Sequence, residues 1–131
     1  MSYMDGTKLV KYDGTIIKDY SMNYTLQDIA DRCYQIAEDK GWHKSKDQIN
    51  IPERLALIHS EVSEALEDYR DGHMFTELDN RKPVGFPTEL ADIIIRVFDL
   101  CGELDINIEE ELLTKMAYNE TRPYRHGGKL A

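Results

Sequence analysis

Residues Pro87 to Leu104 constrain this chain more than any other stretch. Leu90, Ala91, Ile93, Ile94, Ile95, Val97, Phe98, Leu100 and Cys101 recur so densely that a helix built from them is apolar over most of its circumference. Such a helix belongs at the centre of a bundle or in an oligomer interface, where other apolar surface keeps water off it. The narrow strip that remains carries Glu89, Asp92, Arg96, Asp99 and Glu103. On a central helix that strip lies near a neighbouring helix, so the rest of the chain is expected to supply helices around it.

Three further helices are readable. The first starts at Thr25, a capping residue with Asp28 three positions later, carries Leu26, Ile29, Ala30, Cys33, Ile36 and Ala37 at helical spacing, and ends at Gly41. The second runs from about Pro52 to Arg70, with Leu55, Ile58, Val62, Ala65, Leu66 and Tyr69 as its apolar stripe. The fourth is capped by Asn107 with Glu110, is packed by Ile108, Leu112, Leu113, Met116 and Ala117, and ends before Pro123. Residues 71–86 read as a long polar loop, and the tail from Tyr124 to Lys129 as irregular chain. At the start, Lys8 to Tyr12 and Thr15 to Tyr20 flank Asp13-Gly14, a signal for a type I′ hairpin. The expected division is an N-terminal extension over 1–23 and a helical domain over 24–131.

A net charge of −9 argues against a general nucleic-acid or membrane-surface binder. Cys33 and Cys101 lie within apolar helical patterns and form no Cys-x-x-Cys unit, so they read as buried free thiols of a reducing compartment rather than zinc ligands. There is no signal-peptide pattern and no apolar run of membrane-spanning length, and a cytoplasmic location is the expectation.

Chemistry is suggested by two pairs of acids. Glu61 and Glu64 stand three apart on the second helix, Glu89 and Asp92 three apart on the third, so each pair shares a face. Brought together, the two faces would repel unless a hard cation sat between them. Carboxylates without histidine favour Mg²⁺, with Mn²⁺ as its substitute, over Zn²⁺. The other reading of the same spacing is a solvated helix face, and spacing alone leaves both open.

Opposite charge gathers near the other end. Lys115, Asn119 and Arg122 share one face of the fourth helix and are candidates for phosphate oxygens, with Arg125 just beyond; the competing reading is positive charge complementing the helix dipole. Trp42, the single tryptophan, could stack on a base or merely cover a bundle edge. Arg96, one turn after Asp92, is either a partner holding the acids or a phosphate contact. His59 reads as structural. No glycine-rich phosphate loop and no serine or cysteine nucleophile signature is present.

Glu61-Val-Ser-Glu64 followed by Glu89-Leu-Ala-Asp92 resembles the Glu-x-x-Glu … Glu-x-x-Asp signature of the all-α nucleoside triphosphate pyrophosphatases, and the segment from Lys115 to Lys129 is similar to the closing segment of the MazG-like proteins among them. The resemblance covers roughly Leu26 to Lys129. It implies an all-α bundle completed by homo-oligomerisation as dimer or tetramer, and Mg²⁺-dependent cleavage of a nucleoside triphosphate to monophosphate and pyrophosphate. It implies Glu61, Glu64, Glu89 and Asp92 as metal ligands, with Glu61 or Glu64 also serving catalysis. It further implies Lys115, Asn119 and Arg122 as phosphate contacts, and Trp42 as a base contact. Arg96 and Arg125 join the substrate-binding candidates. Substrate and self are thus the expected partners. A dUTPase-like or phosphoribosyl-ATP pyrophosphatase-like member is the alternative within the superfamily. A non-catalytic helical oligomer that binds a nucleotide or a partner is the alternative outside it.

Overall fold

The computed structural model describes residues 1–19, 23–43 and 48–130. Three antiparallel strands open the chain: β1 (Ser2–Asp5), β2 (Lys8–Lys11) and β3 (Ile16–Asp19), in that spatial order. α1 (Leu26–Asp39) and α2 (Ile51–Arg70) follow, then a small hairpin of β4 (Glu77–Asp79) and β5 (Lys82–Val84), then α3 (Phe86–Glu103), α4 (Ile108–Thr121) and a single distorted turn, α5 (Arg125–Gly128).

The expectation of an all-α bundle is therefore wrong. Helix accounts for 58% of the chain and two antiparallel sheets for 15%, and self-assembly is not shown. Two segments carry the difference. Ser2 to Asp5 adds a third strand to the N-terminal hairpin, pairing Ser2 with Lys11 and Asp5 with Lys8. The supposed loop 71–86 holds β4 and β5, joined through Asn80 (φ 50) and Arg81 (φ 68). Two successive left-handed residues make the type I′ turn that matches strand twist, but Arg81 stands where glycine usually advertises that turn.

The first hairpin also turns differently from expectation. Gly14 N–H bonds Lys11 C=O at 2.9 Å and Lys11 N–H bonds Thr15 C=O at 2.8 Å, with only Gly14 (φ 91) left-handed. That is a three-residue loop ending in a glycine bulge, not a type I′ turn. Asp13 reinforces it by accepting from Thr15 N–H at 2.9 Å. The expected strand end at Tyr20 lies outside the described residues.

Local chemistry explains the helix ends. Thr25 and Asp28 complete a reciprocal capping box on α1, Asn50 accepts from Glu53 N–H on α2, and Asn107 accepts from Glu110 N–H on α4. α3 has no side-chain cap; it starts at Gly85, whose φ of 115 lets the chain pass tight against the carbonyl of Phe75.

α3 packs against both α1 and α2, as its composition demanded. Phe98 and Cys101 are buried there with Ala30 and Ala65, and Tyr34 packs directly against Gly102. Coverage is nonetheless partial. On α2, Leu55 and Val62 are each 49% exposed, and Ile94 on α3 is 51% exposed. The α2 stripe that periodicity marks as core is thus only half covered within one chain. α4 meets α1 through its first turn, where Glu109 accepts from Leu26 N–H and Gln27 accepts from Glu109 N–H. From Glu111 to Thr121 it is exposed throughout.

Candidate metal centre

α2 and α3 run antiparallel, so the late turns of α2 face the early turns of α3. Across that seam Glu61, Glu89 and Asp92 bring carboxylate oxygens within 4.8 Å of one another. Arg96 Nε donates to Glu61 Oε1 at 2.8 Å. Of its two readings from sequence, Arg96 is thus engaged as the partner that fixes Glu61.

Glu64 does not join the trio and is exposed. A three-residue step turns a helix well away from its starting direction, whereas a seven-residue step returns almost to it. Asp68, seven after Glu61, therefore points toward the seam where Glu64 stands at its border. Asp68 Oδ2 is buried with no hydrogen-bond partner among the described residues, while Oδ1 lies 3.8 Å from His73 Nδ1. Sequence reading missed Asp68; the seven-residue spacing from Glu61 was the available signal.

The electrostatics show the crowding. Desolvation, then the charges of Asp92, Asp68, Glu61 and Glu64, raises the Glu89 carboxyl above its ordinary value. Asp92 is exposed as a residue, yet protein atoms desolvate its carboxyl. That desolvation and Glu61 raise it against the opposing pull of Arg96 and Lys82. Converging carboxylates that resist ionisation, plus one orphaned oxygen, fit a hard, oxygen-seeking cation.

The opposite end of the seam is balanced. His43 Nδ1 lies 2.6 Å from Glu38, and Nε2 lies 2.7 Å from Asp99 and 4.0 Å from Glu103. Arg54 grips both oxygens of Glu103, at 2.9 and 3.2 Å. Burial disfavours the charged imidazole, but its bonds to Glu38 and Asp99 and the charges of Asp99 and Glu103 outweigh this and raise its pKa. With both ring nitrogens facing carboxylates, the surroundings of His43 favour the imidazolium form. The His43, Asp99 and Glu103 atoms are close enough to bracket a metal. Their donors and acceptors already satisfy one another, so the group is complete as an ion-pair network.

The remaining candidates lie apart. Trp42 is 70% exposed. Lys115 and Arg122 hold their cations over the Tyr118 ring, at 5.1 and 5.9 Å, and Arg125 lies over Tyr124 at 5.8 Å. Asn119 is exposed. Among the described residues, no hydrogen bond or ion pair links any of them to the acid centre.

Comparisons with protein-family models, with curated proteins and with solved structures found no match. No helix is long and apolar enough to cross a membrane.

Proposed function

We propose that this chain is a divalent-cation-dependent nucleoside triphosphate pyrophosphohydrolase. The observation that carries the reading is the meeting of Glu61, Glu89 and Asp92 across α2 and α3, with the unpartnered oxygen of Asp68 on the same seam. Glu61, Glu89 and Asp92 hold Mg²⁺ or Mn²⁺, and Arg96 keeps Glu61 in register. The cation supplies Lewis acidity toward phosphate oxygens and makes a bound water more acidic. Glu64, outside the trio but on the same helix, is free to take a proton from the attacking water. The resemblance to MazG-like proteins supplies the substrate class, and cleavage between the α- and β-phosphates gives a monophosphate and pyrophosphate.

Lys115, Asn119, Arg122, Arg125 and Trp42 enter this reading only if another copy of the chain brings them to the acids. The half-covered stripe of α2 and the exposed Leu113 (60%) and Met116 (56%) of α4 support such self-association. Two unbridged thiols, Cys33 and Cys101, both raised in pKa by burial, fit a reducing cytoplasm.

The test is pyrophosphate release from a panel of ribo- and deoxyribonucleoside triphosphates with Mg²⁺. Turnover is expected in the native chain and lost in Glu89→Gln and Glu64→Gln at unchanged helix content. Undiminished hydrolysis by either variant refutes its assignment. Absence of turnover on every triphosphate leaves the non-catalytic binding protein as the reading.

A further inference from the structure

The hairpin between α2 and α3 has a second role to offer. His73 C=O accepts from Phe86 N–H at 2.8 Å, so β4 and β5 stand as a closed loop at the end of the seam where the acids gather. Between this hairpin and the N-terminal sheet is an open cleft of about 590 Å³, lined by Tyr3, Tyr12, Asn80, Arg81 and Lys82 among others. The Arg81 guanidinium lies 4.8 Å from the Tyr3 ring centroid and 4.9 Å from that of Tyr12, and the two rings are 5.3 Å apart.

Three observations make this cleft more than a packing gap. Arg81 occupies a left-handed turn position, φ 68, that glycine would fill without strain. Neither Arg81 nor Lys82 has a carboxylate partner among the described residues, although acids outnumber bases by 25 to 16. β5, which carries Lys82, also packs against α3, the helix that carries Glu89 and Asp92, so the cleft and the acid centre are built on touching elements.

We propose that this cleft is the nucleotide-binding subsite: Arg81 and Lys82 take the phosphates, and the aromatic pair Tyr3 and Tyr12 takes the base. Guanidinium and ammonium in sequence grip a polyphosphate chain, the first as a planar fork and the second as a point charge. Tyr12 is still 53% exposed beneath Arg81, which leaves surface for a base to stack on. From there the phosphate chain runs past Lys82 toward Asp92. Substrate choice then lies in the N-terminal sheet and the β4–β5 turn, elements outside the signature that suggested the chemistry. This inference rests on the pyrophosphohydrolase reading for the identity of the ligand.

The experiment is titration calorimetry of the full chain with α,β-imido nucleoside triphosphates in Mg²⁺, beside Mn²⁺ alone. Arg81→Gly suits the turn and removes the whole side chain, guanidinium included; Tyr12→Ala and Tyr12→Phe separate the ring from the hydroxyl. Arg81→Gly is expected to weaken the analogue about tenfold or more, with Mn²⁺ affinity unchanged. Tyr12→Ala is expected to weaken it too, with Tyr12→Phe near native. Native affinity in Arg81→Gly overturns the subsite, even if proteolysis shows the N-terminal sheet loosened, because Arg81 is then only a latch. If the native chain hydrolyses triphosphates and Arg81→Gly keeps its KM, the subsite fails and the activity stands. If the native chain binds the analogues, loses them on Arg81→Gly and hydrolyses nothing, the subsite stands and the activity fails.

Discussion

Replacing His43 by alanine tests the network that ties α1 to α3. The side chain is 4% exposed and bonds two carboxylates of unequal burial. Glu38 is 41% exposed and water can replace its partner, so that bond contributes about 0.5 kcal/mol. Asp99 is 20% exposed, and a charge-assisted bond in such a place contributes about 2 kcal/mol. Loss of the ring stacked on Tyr34 at 4.8 Å adds about 1 kcal/mol. The expected loss is about 3.5 kcal/mol, read from urea unfolding followed by far-ultraviolet circular dichroism. The pH profile separates charge from packing. A histidine raised in the folded state contributes fully below its unfolded pKa of about 6.5, and that contribution is lost as pH rises through the higher folded value. Stability lost in His43→Ala is therefore expected to be largest below about pH 6.5 and to shrink as pH rises above it, where a neutral ring donates only one bond. A difference that is constant or grows with pH refutes the imidazolium network.

Further expectations follow from the same geometry. In Gly102→Ala the new Cβ would lie 2.5 Å from Tyr34 Cγ, on a ring pinned by His43. Overpacking of about 1–3 kcal/mol outweighs the helix propensity gained, about 1 kcal/mol, so a lowered melting temperature is expected and a raised one refutes the packing. Gly85→Ala combines a φ of 115 with a clash on the Phe75 carbonyl, and a loss of about 3 kcal/mol is expected in the same unfolding assay. Cation binding has its own pH signature. Burial and neighbouring acids raise the carboxyls of Glu89 and Asp92, and protons compete with metal. Stabilisation by Mn²⁺ in thermal melts is expected to shrink from about pH 7 toward about pH 5; a rise independent of pH removes these carboxylates from the site.

The helices were legible because their signals are local. Thr25 with Asp28, Asn107 with Glu110, and the prolines at 52 and 87 mark starts within a residue or two, and the density of apolar residues from Leu90 to Cys101 marks α3 as central. β4 and β5 were not, because three-residue strands show no alternation and their turn uses Arg81 in place of glycine. Convergence of the acids depended on a helix facing that spacing only suggests: it puts Glu61 on the seam, leaves Glu64 at the edge and brings in Asp68. The His43 network was out of reach, since Asp99 is 56 positions away and Arg54 reaches 49 positions to Glu103.

The α2–α3 seam has its acids paired with bases at one end and crowded together at the other. Near His43 and Arg54 every acid has a base, and the two helices are riveted together. Seven or more residues away, Glu61, Asp68, Glu89 and Asp92 crowd together, and only Glu61 is bonded to a guanidinium, that of Arg96. The load on this pair of helices is thus one-sided. A cation bound among these acids would relieve it. Occupancy would then be readable as slowed amide exchange confined to the end of α2 and the first turns of α3.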